Sequence, residues 1–299
     1  MRVKGENDIA DMIVEKALHL TNIRNLRYFQ KGVHQRIYWG AEFCQNLIPT
    51  IQDTEKILAF INRGNLKFTF VTPFVTEQGL NKLEKAFTWF KKIRLFPEIV
   101  VNDWGVLECL ESEFKGYFEI ALGRLLVRQQ RDPAIKKVIE KQLPFAVRGK
   151  DGKIRIVVHR VPGLSFQQGI KASYASSGLA QGVFSRFGIK RVELNNVMQG
   201  LNLQGLKLKR SLYTPFVNIS TTRFCPMESR FQKVNRINVC KMECQRYYDI
   251  LRNRAVSKVV YKRGNTTFYK NPIKMQILAN LTRMGANIDR IVFQPELPF

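Results

Sequence analysis

Cysteine carries the clearest chemical signal in this 299-residue sequence. Cys225, Cys240 and Cys244 are spaced C-x14-C-x3-C, and Cys44 stands alone far upstream. Thiolates are soft ligands, and four of them brought to one point suit an iron–sulfur cluster or a zinc ion. The competing reading is a set of free cysteines serving as small core residues, because C-x3-C is less diagnostic than paired C-x2-C knuckles. Cys109 falls outside the spacing and is expected in the core. An odd total of five cysteines is no disulfide framework and points to a reducing, cytoplasmic setting. None of the histidines, His19, His34 and His159, stands at ligand spacing from a cysteine or carboxylate. There is no HExxH, GxSxG or phosphate-loop pattern. A Cys–His peptidase using Cys225 and His159 is the alternative with no motif behind it.

The elements that must position these residues alternate. Asp8 as a cap, with Ile9, Ile13, Ala17 and Leu20 at helical spacing, predicts a first helix. Gln35–Phe43 predicts a strand running into Cys44, and Asp53 opens a helix with Ile57, Leu58 and Ile61 on one face. Lys67–Val75 is β-branched, aromatic and alternating, so it predicts a strand. Thr76 precedes a helix striped by Leu80, Leu83, Phe87 and Phe90. Glu98–Asn102 and Tyr117–Leu122 predict two more strands. Residues 128–182 break the rhythm and predict an insertion containing a hairpin. A helix near Gln181–Phe187 and strands Arg191–Asn195 and Phe216–Arg223 follow. A hairpin Val256–Tyr269 turns at Gly264-Asn265, and a helix near Lys274–Met284 and a strand Arg290–Gln294 end the chain. Such alternation predicts a parallel α/β architecture in one domain over 1–299. The expected form is a TIM-like, irregular barrel with a central insertion and a basic C-terminal extension, and a doubly wound open sheet is the alternative. In a barrel, Cys44 and Cys225 share the carboxyl ends of the strands, where barrel active sites are built. Asp103, Asn195 and Arg223 are then the candidate catalytic residues. Asn102, Asn196 and Thr221 stand beside them, with Trp104, Tyr213 and Phe216 as pocket walls. Asp103 has the alternative role of capping the next helix.

Several short strings resemble the collagenase-like peptidase family U-thirty-two. They are YWGAEFC ending at Cys44, VNDWG at Val101–Gly105, RVELNN at Arg191–Asn196, and NISTTRFCPM at Asn218–Met227 followed by the C-x3-C pair. The four-cysteine pattern is closest to that of the family's iron–sulfur member in oxygen-independent ubiquinone hydroxylation. That resemblance implies that Cys44, Cys225, Cys240 and Cys244 ligate a [4Fe-4S] cluster. It also implies hydroxylation of an RNA base or quinone-type substrate without dioxygen, in a heterodimer with a related chain. The alternative is a noncatalytic RNA- or protein-binding module with a structural cluster, and the third reading is a peptidase.

Charge adds a partner class. The formal net charge is +25. Residues 201–299 contain 18 basic and 5 acidic residues, so this third alone carries +13. No acid occurs between Ile250 and Ile288, where Arg252, Arg254, Lys258, Lys262 and Arg263 form the expected contact set for RNA or an acidic protein. No run of eighteen apolar residues is present, so no membrane span is expected.

Overall fold

The computed structural model describes residues 14–140, 143–158, 160–228, 240–252, 256, 258–273 and 288–299. Eight parallel strands close into a barrel: β1 (Glu15–Leu20), β2 (Arg36–Trp39), β3 (Lys67–Val71), β4 (Glu98–Val101), β5 (Glu119–Leu122), β8 (Ile189–Asn195), β9 (Lys209–Thr214) and β14 (Arg290–Phe293). Closure runs through β14, which pairs with β1 on one side and β9 on the other. The expected barrel is thus present, and the open-sheet alternative is not. Helices α1 (Ile51–Gly64), α2 (Glu77–Lys92) and α3 (Trp104–Glu113) make the crossovers between β2 and β5. Between β5 and β8 the chain passes through α4 (Arg124–Val127), α5 (Ile135–Ile139), the hairpin β6 (Phe145–Arg148)–β7 (Ile154–Val157), α6 (Leu164–Lys171) and α7 (Gly178–Arg186). No helix separates β8 from β9, and that makes the barrel irregular.

The crossover helices form for local reasons. The Thr50 hydroxyl accepts the Asp53 amide at 3.1 Å and caps α1, so the helix starts at Ile51, two residues before Asp53. The α2 stripe of Leu83, Phe87 and Phe90 lies buried against the outside of β3, with the Phe70 and Phe90 rings 5.2 Å apart.

Inside the barrel, alternate residues of each strand point inward. The amino ends meet in a charged lattice, where the Glu98 carboxylate accepts Arg191 Nε at 3.2 Å and Thr69 Oγ1 at 2.9 Å and pairs with Arg290. An apolar layer of Ala17, Tyr38, Val71, Val100, Ala121, Tyr213 and Val292 lies above it. His19, Asn102, Asn195 and Gln294 form a buried polar layer at the carboxyl ends.

Beyond Pro215 the chain leaves the barrel. Strand β10 (Phe216–Thr221) joins β13 (Thr266–Lys270), β12 (Val260–Arg263) and β11 (Asp249–Leu251) in a four-stranded antiparallel sheet, in the order β10-β13-β12-β11. This sheet sits on the carboxyl mouth.

Three expectations need correction. Glu15–Leu20 is a strand, not part of a helix: its last four residues are buried on both faces, which erases the two-residue alternation that marks a half-exposed strand. Phe216–Arg223 is no barrel strand, because that place is taken by Lys209–Thr214, whose polar start hides it in the sequence. The expected strand into Cys44 ends at Trp39, and a loop carries the chain on. Asp8, Ile9, Ile13, His159, Arg254 and the helix near Lys274–Met284 lie outside the described residues.

Candidate metal centre and barrel mouth

Cys44 is positioned by the loop after β2. Gly40 has φ +131, and a Cβ there would lie 2.2 Å from the Val71 carbonyl oxygen, so only glycine lets the loop fold across β3. Two residues on, the fully buried Glu42 pairs with the equally buried Arg124, whose Nε lies 2.9 Å from Oε1. Arg124 Nη1 also donates to Asn195 Oδ1 at 3.1 Å and to the Phe216 carbonyl at 2.9 Å, and its guanidinium lies 4.0 Å from the Tyr213 ring centre. One buried cation thereby ties the Cys44 loop to β8 and to the start of β10. Phe43 packs between Phe268 and Phe299 at ring separations of 5.3 and 5.9 Å.

The turn between β12 and β13 gathers the other cysteine segments. Asn265 Nδ2 donates to the Phe43 carbonyl at 2.8 Å and to the Thr222 carbonyl at 2.7 Å, so one amide clasps the chain beside Cys44 and the chain leading to Cys225. Arg263 Nε donates to the Cys244 carbonyl at 2.6 Å, and Nη1 to the Leu297 carbonyl at 3.0 Å. Gly264 permits the tight turn, since a Cβ there would strike the Phe299 ring.

The four thiols lie near enough to perturb one another. Cys44 is pushed up to about 11, first by burial and then by Cys240 and Cys225. Cys244 is pushed up to about 12, by burial and then by Cys44, Cys225 and Cys240. Cys225 is raised by burial, with smaller contributions from Glu228 and Cys240. Three of the four sulfurs also receive backbone N–H groups from just downstream. Cys44 is met by Asn46 and Leu47, Cys225 by Met227 and Glu228, and Cys240 by the Met242 amide at 3.4 Å. Such bonds favour thiolate over thiol. Among the described residues, no group of three or more His, Cys, Asp or Glu is arranged to hold a single metal ion. Cys109 lies apart in α3, in the main core, with its thiol 3.8 Å from Glu84.

The polar strand-end residues are mostly engaged in hydrogen bonds within the fold. Asp103 caps α3 through Gly105 N at 2.7 Å and accepts Val75 N at 3.2 Å. Asn102 joins the Thr72 carbonyl to the Leu125 amide. Asn195 is spent on Arg124 and Gln129, and Asn196 exchanges two bonds with Asn271. Arg223 instead lies over the Phe74 ring at 5.6 Å. It helps line a pocket of about 310 Å3 that also gathers Asn102, Asp103, Trp104, Thr221 and Arg131. Arg131 was not singled out by the sequence, since nothing marks it among many arginines. Two larger cavities, of about 890 and 920 Å3, open at the opposite end of the barrel, around Glu15 and Lys67.

The basic contact set divides. Lys262 pairs with Asp249 at 2.8 Å, and Arg263 is committed to backbone carbonyls. Among the described residues, Arg252 and Lys258 have no acidic partner.

No family model matches the chain, and no curated protein matches it. No helix among the described residues is long and apolar enough to cross a membrane. Solved structures with a similar fold include human YKL-39, described as a pseudo-chitinase with retained chitooligosaccharide binding (9% identity, 94% of this chain and 92% of that one, TM-score 0.36). A glycoside hydrolase family 18 N-acetylglucosaminidase from Paenibacillus barengoltzii is another (10% identity, 94% of each chain, TM-score 0.36). The family named from the sequence strings is also represented: the chain is similar to the U32 peptidase Mk0906, at 9% identity over 98% of this chain and 97% of that one, with a TM-score of 0.44.

Proposed function

We propose that this barrel binds a [4Fe-4S] cluster through Cys44, Cys225, Cys240 and Cys244. We further propose that it acts in oxygen-independent hydroxylation of an RNA base or quinone-type substrate, as one subunit of a complex with a related chain. The observation that carries the cluster reading is the set of backbone N–H groups aimed at three sulfurs, in a place where burial and mutual repulsion otherwise oppose ionisation. An iron-bearing cofactor relieves that repulsion by replacing four protons with cationic iron. The donor set is all sulfur, as such clusters require. When bound, the cluster supplies one-electron transfer at the barrel mouth.

The chain's own residues do the rest. Asn265 and Arg263 hold the cysteine segments together, the Glu42–Arg124 pair anchors the first of them, and Phe43, Phe268 and Phe299 keep water from one side. The hydroxylation reading rests on the sequence strings. The RNA reading is favoured separately by Arg252 and Lys258, which have no acidic partner among the described residues, with RNA as either substrate or bound partner.

The test is anaerobic purification with iron, sulfide and copurifying RNA measured together. The expected result is about four iron per chain, lost in Cys225→Ala and kept in Cys109→Ala. Full iron content in a Cys240→Ala/Cys244→Ala double variant would refute the ligand set.

A further inference from the structure

The pocket at the mouth holds two arginines and one carboxylate, and the carboxylate is already engaged. Both Asp103 oxygens accept backbone amides, from Gly105 and Val75. Arg131 Nη1 is buried with no hydrogen-bond acceptor. Such an orphaned donor costs stability unless something fills its place. No carboxylate among the described residues pairs with Arg131, and burial followed by the Arg124 charge pulls it down to about 10. Arg223 is exposed, has no acidic partner among the described residues, and presents its donors beside the Phe74 face. Arg124, by contrast, is fully compensated by Glu42. The walls are mixed: Trp104, 45% exposed, stands with Phe74, Leu125 and Leu126 as an apolar side facing the polar Asn102, Thr221 and the two arginines. A volume of about 310 Å3 lies at the lower end of small-ligand sites.

We propose that this pocket binds a small oxyanion carried on a compact apolar body, with Arg131 and Arg223 as its guanidinium contacts. Guanidinium forks match the two oxygens of a carboxylate or the three of a phosphate monoester. The small volume favours a small molecule over a nucleic-acid backbone, which binds along extended grooves. This goes beyond the cluster reading and does not depend on it.

The test is calorimetric titration of the full chain, at low salt, with benzoate, phenyl phosphate and the neutral analogue benzamide. The same titrations are run on the iron-free Cys240→Ala protein, so that loss of the cluster and loss of the pocket are read separately. The expected result is binding of at least one anion with a Kd below ~1 mM and at least ~10-fold weaker binding of benzamide, as charge-assisted hydrogen bonds imply. Arg223→Gln, an exposed change that leaves the fold intact, should weaken the anion ~10-fold or more. Arg131→Gln should do the same, with Arg131→Lys intermediate, while Arg63→Gln, far from the mouth, should change nothing. No anion binding up to ~10 mM, benzamide binding as tightly as benzoate, or indifference to Arg223→Gln would each overturn the assignment. So would a single-stranded RNA that binds through Arg223 when neither small anion does.

Discussion

Asn265 is the most economical place to break the candidate metal centre. Its side-chain amide donates to the Phe43 and Thr222 carbonyls at 2.8 and 2.7 Å, while the residue itself is only 7% exposed. In Asn265→Ala both carbonyls lose their donor in a place water reaches poorly. Each unsatisfied buried acceptor costs roughly 1–3 kcal/mol, and partial relaxation brings the expected total to about 2–4 kcal/mol. Asn265→Asp discriminates further. It is isosteric, yet it turns both donors into acceptors and sets a carboxylate against two carbonyl oxygens. The account therefore expects Asp to be worse than Ala, the reverse of what side-chain volume dictates. Urea unfolding followed by circular dichroism on anaerobically purified protein gives the free energies, and iron per chain gives the effect on the site. Both variants should bind less iron, because the chain beside Cys44 and the chain leading to Cys225 are no longer held to one group. If Asn265→Asp is as stable as the wild type, or if Asn265→Ala costs less than about 0.5 kcal/mol, the clasp does not work as described.

Four further outcomes are expected. Arg124→Met leaves Glu42 buried without its cation and should cost about 3–5 kcal/mol, whereas Arg124→Met/Glu42→Leu should recover much of that loss; a double-mutant cycle with no coupling would contradict the ion-pair reading. Glu193 is held up at about 7 by burial and then by the Glu98 charge, so the folded state keeps a proton that the unfolded chain releases near 4.5. Stability should fall as pH rises from about 4.5 to about 7, by up to roughly 3 kcal/mol, and urea midpoints in Glu193→Gln should lose that fall. Burial alone would raise Glu15, but the Arg290 and Arg36 charges outweigh it and hold the group down to about 2, so a separate loss should appear as pH drops from about 4.5 toward 2. Arg252→Glu and Lys258→Glu should weaken salt-dependent RNA binding without unfolding the protein, while Arg263→Glu should destabilise it by stranding the Cys244 carbonyl; filter binding across a salt series alongside thermal melting separates the two effects.

The barrel was legible because most strands are short β-branched runs followed by amphipathic helices, as at Lys67–Val71 and α2. Glu15–Leu20 was not, since a strand covered on both faces has no alternation to read, and Ala17 and Leu20 happened to continue a helical spacing from Ile13. Lys209–Thr214 escaped because it opens on two cations and its buried Ser211 hydrogen-bonds with Tyr38 inside the barrel, which breaks the apolar pattern. Within the site, the cysteine spacing singled out four sulfurs that the structure brings within each other's electrostatic reach. Residue type also named Asn102, Asp103 and Asn195, yet type cannot tell an asparagine that orients a ligand from one that ties strand ends together. Asn265 and Arg263 illustrate the converse. One was read as a turn residue and the other as part of a basic face, and only the tertiary pairing of the β12–β13 turn with the cysteine segments reveals that both hold the site.

The most direct test of the central claim is iron-edge anomalous diffraction from crystals grown anaerobically. The account predicts one compact group of iron peaks at the carboxyl mouth, bounded by the sulfurs of Cys44, Cys225, Cys240 and Cys244, with none near Cys109. Iron bound elsewhere, or strong iron density with any one of those four sulfurs turned away from it, would contradict it.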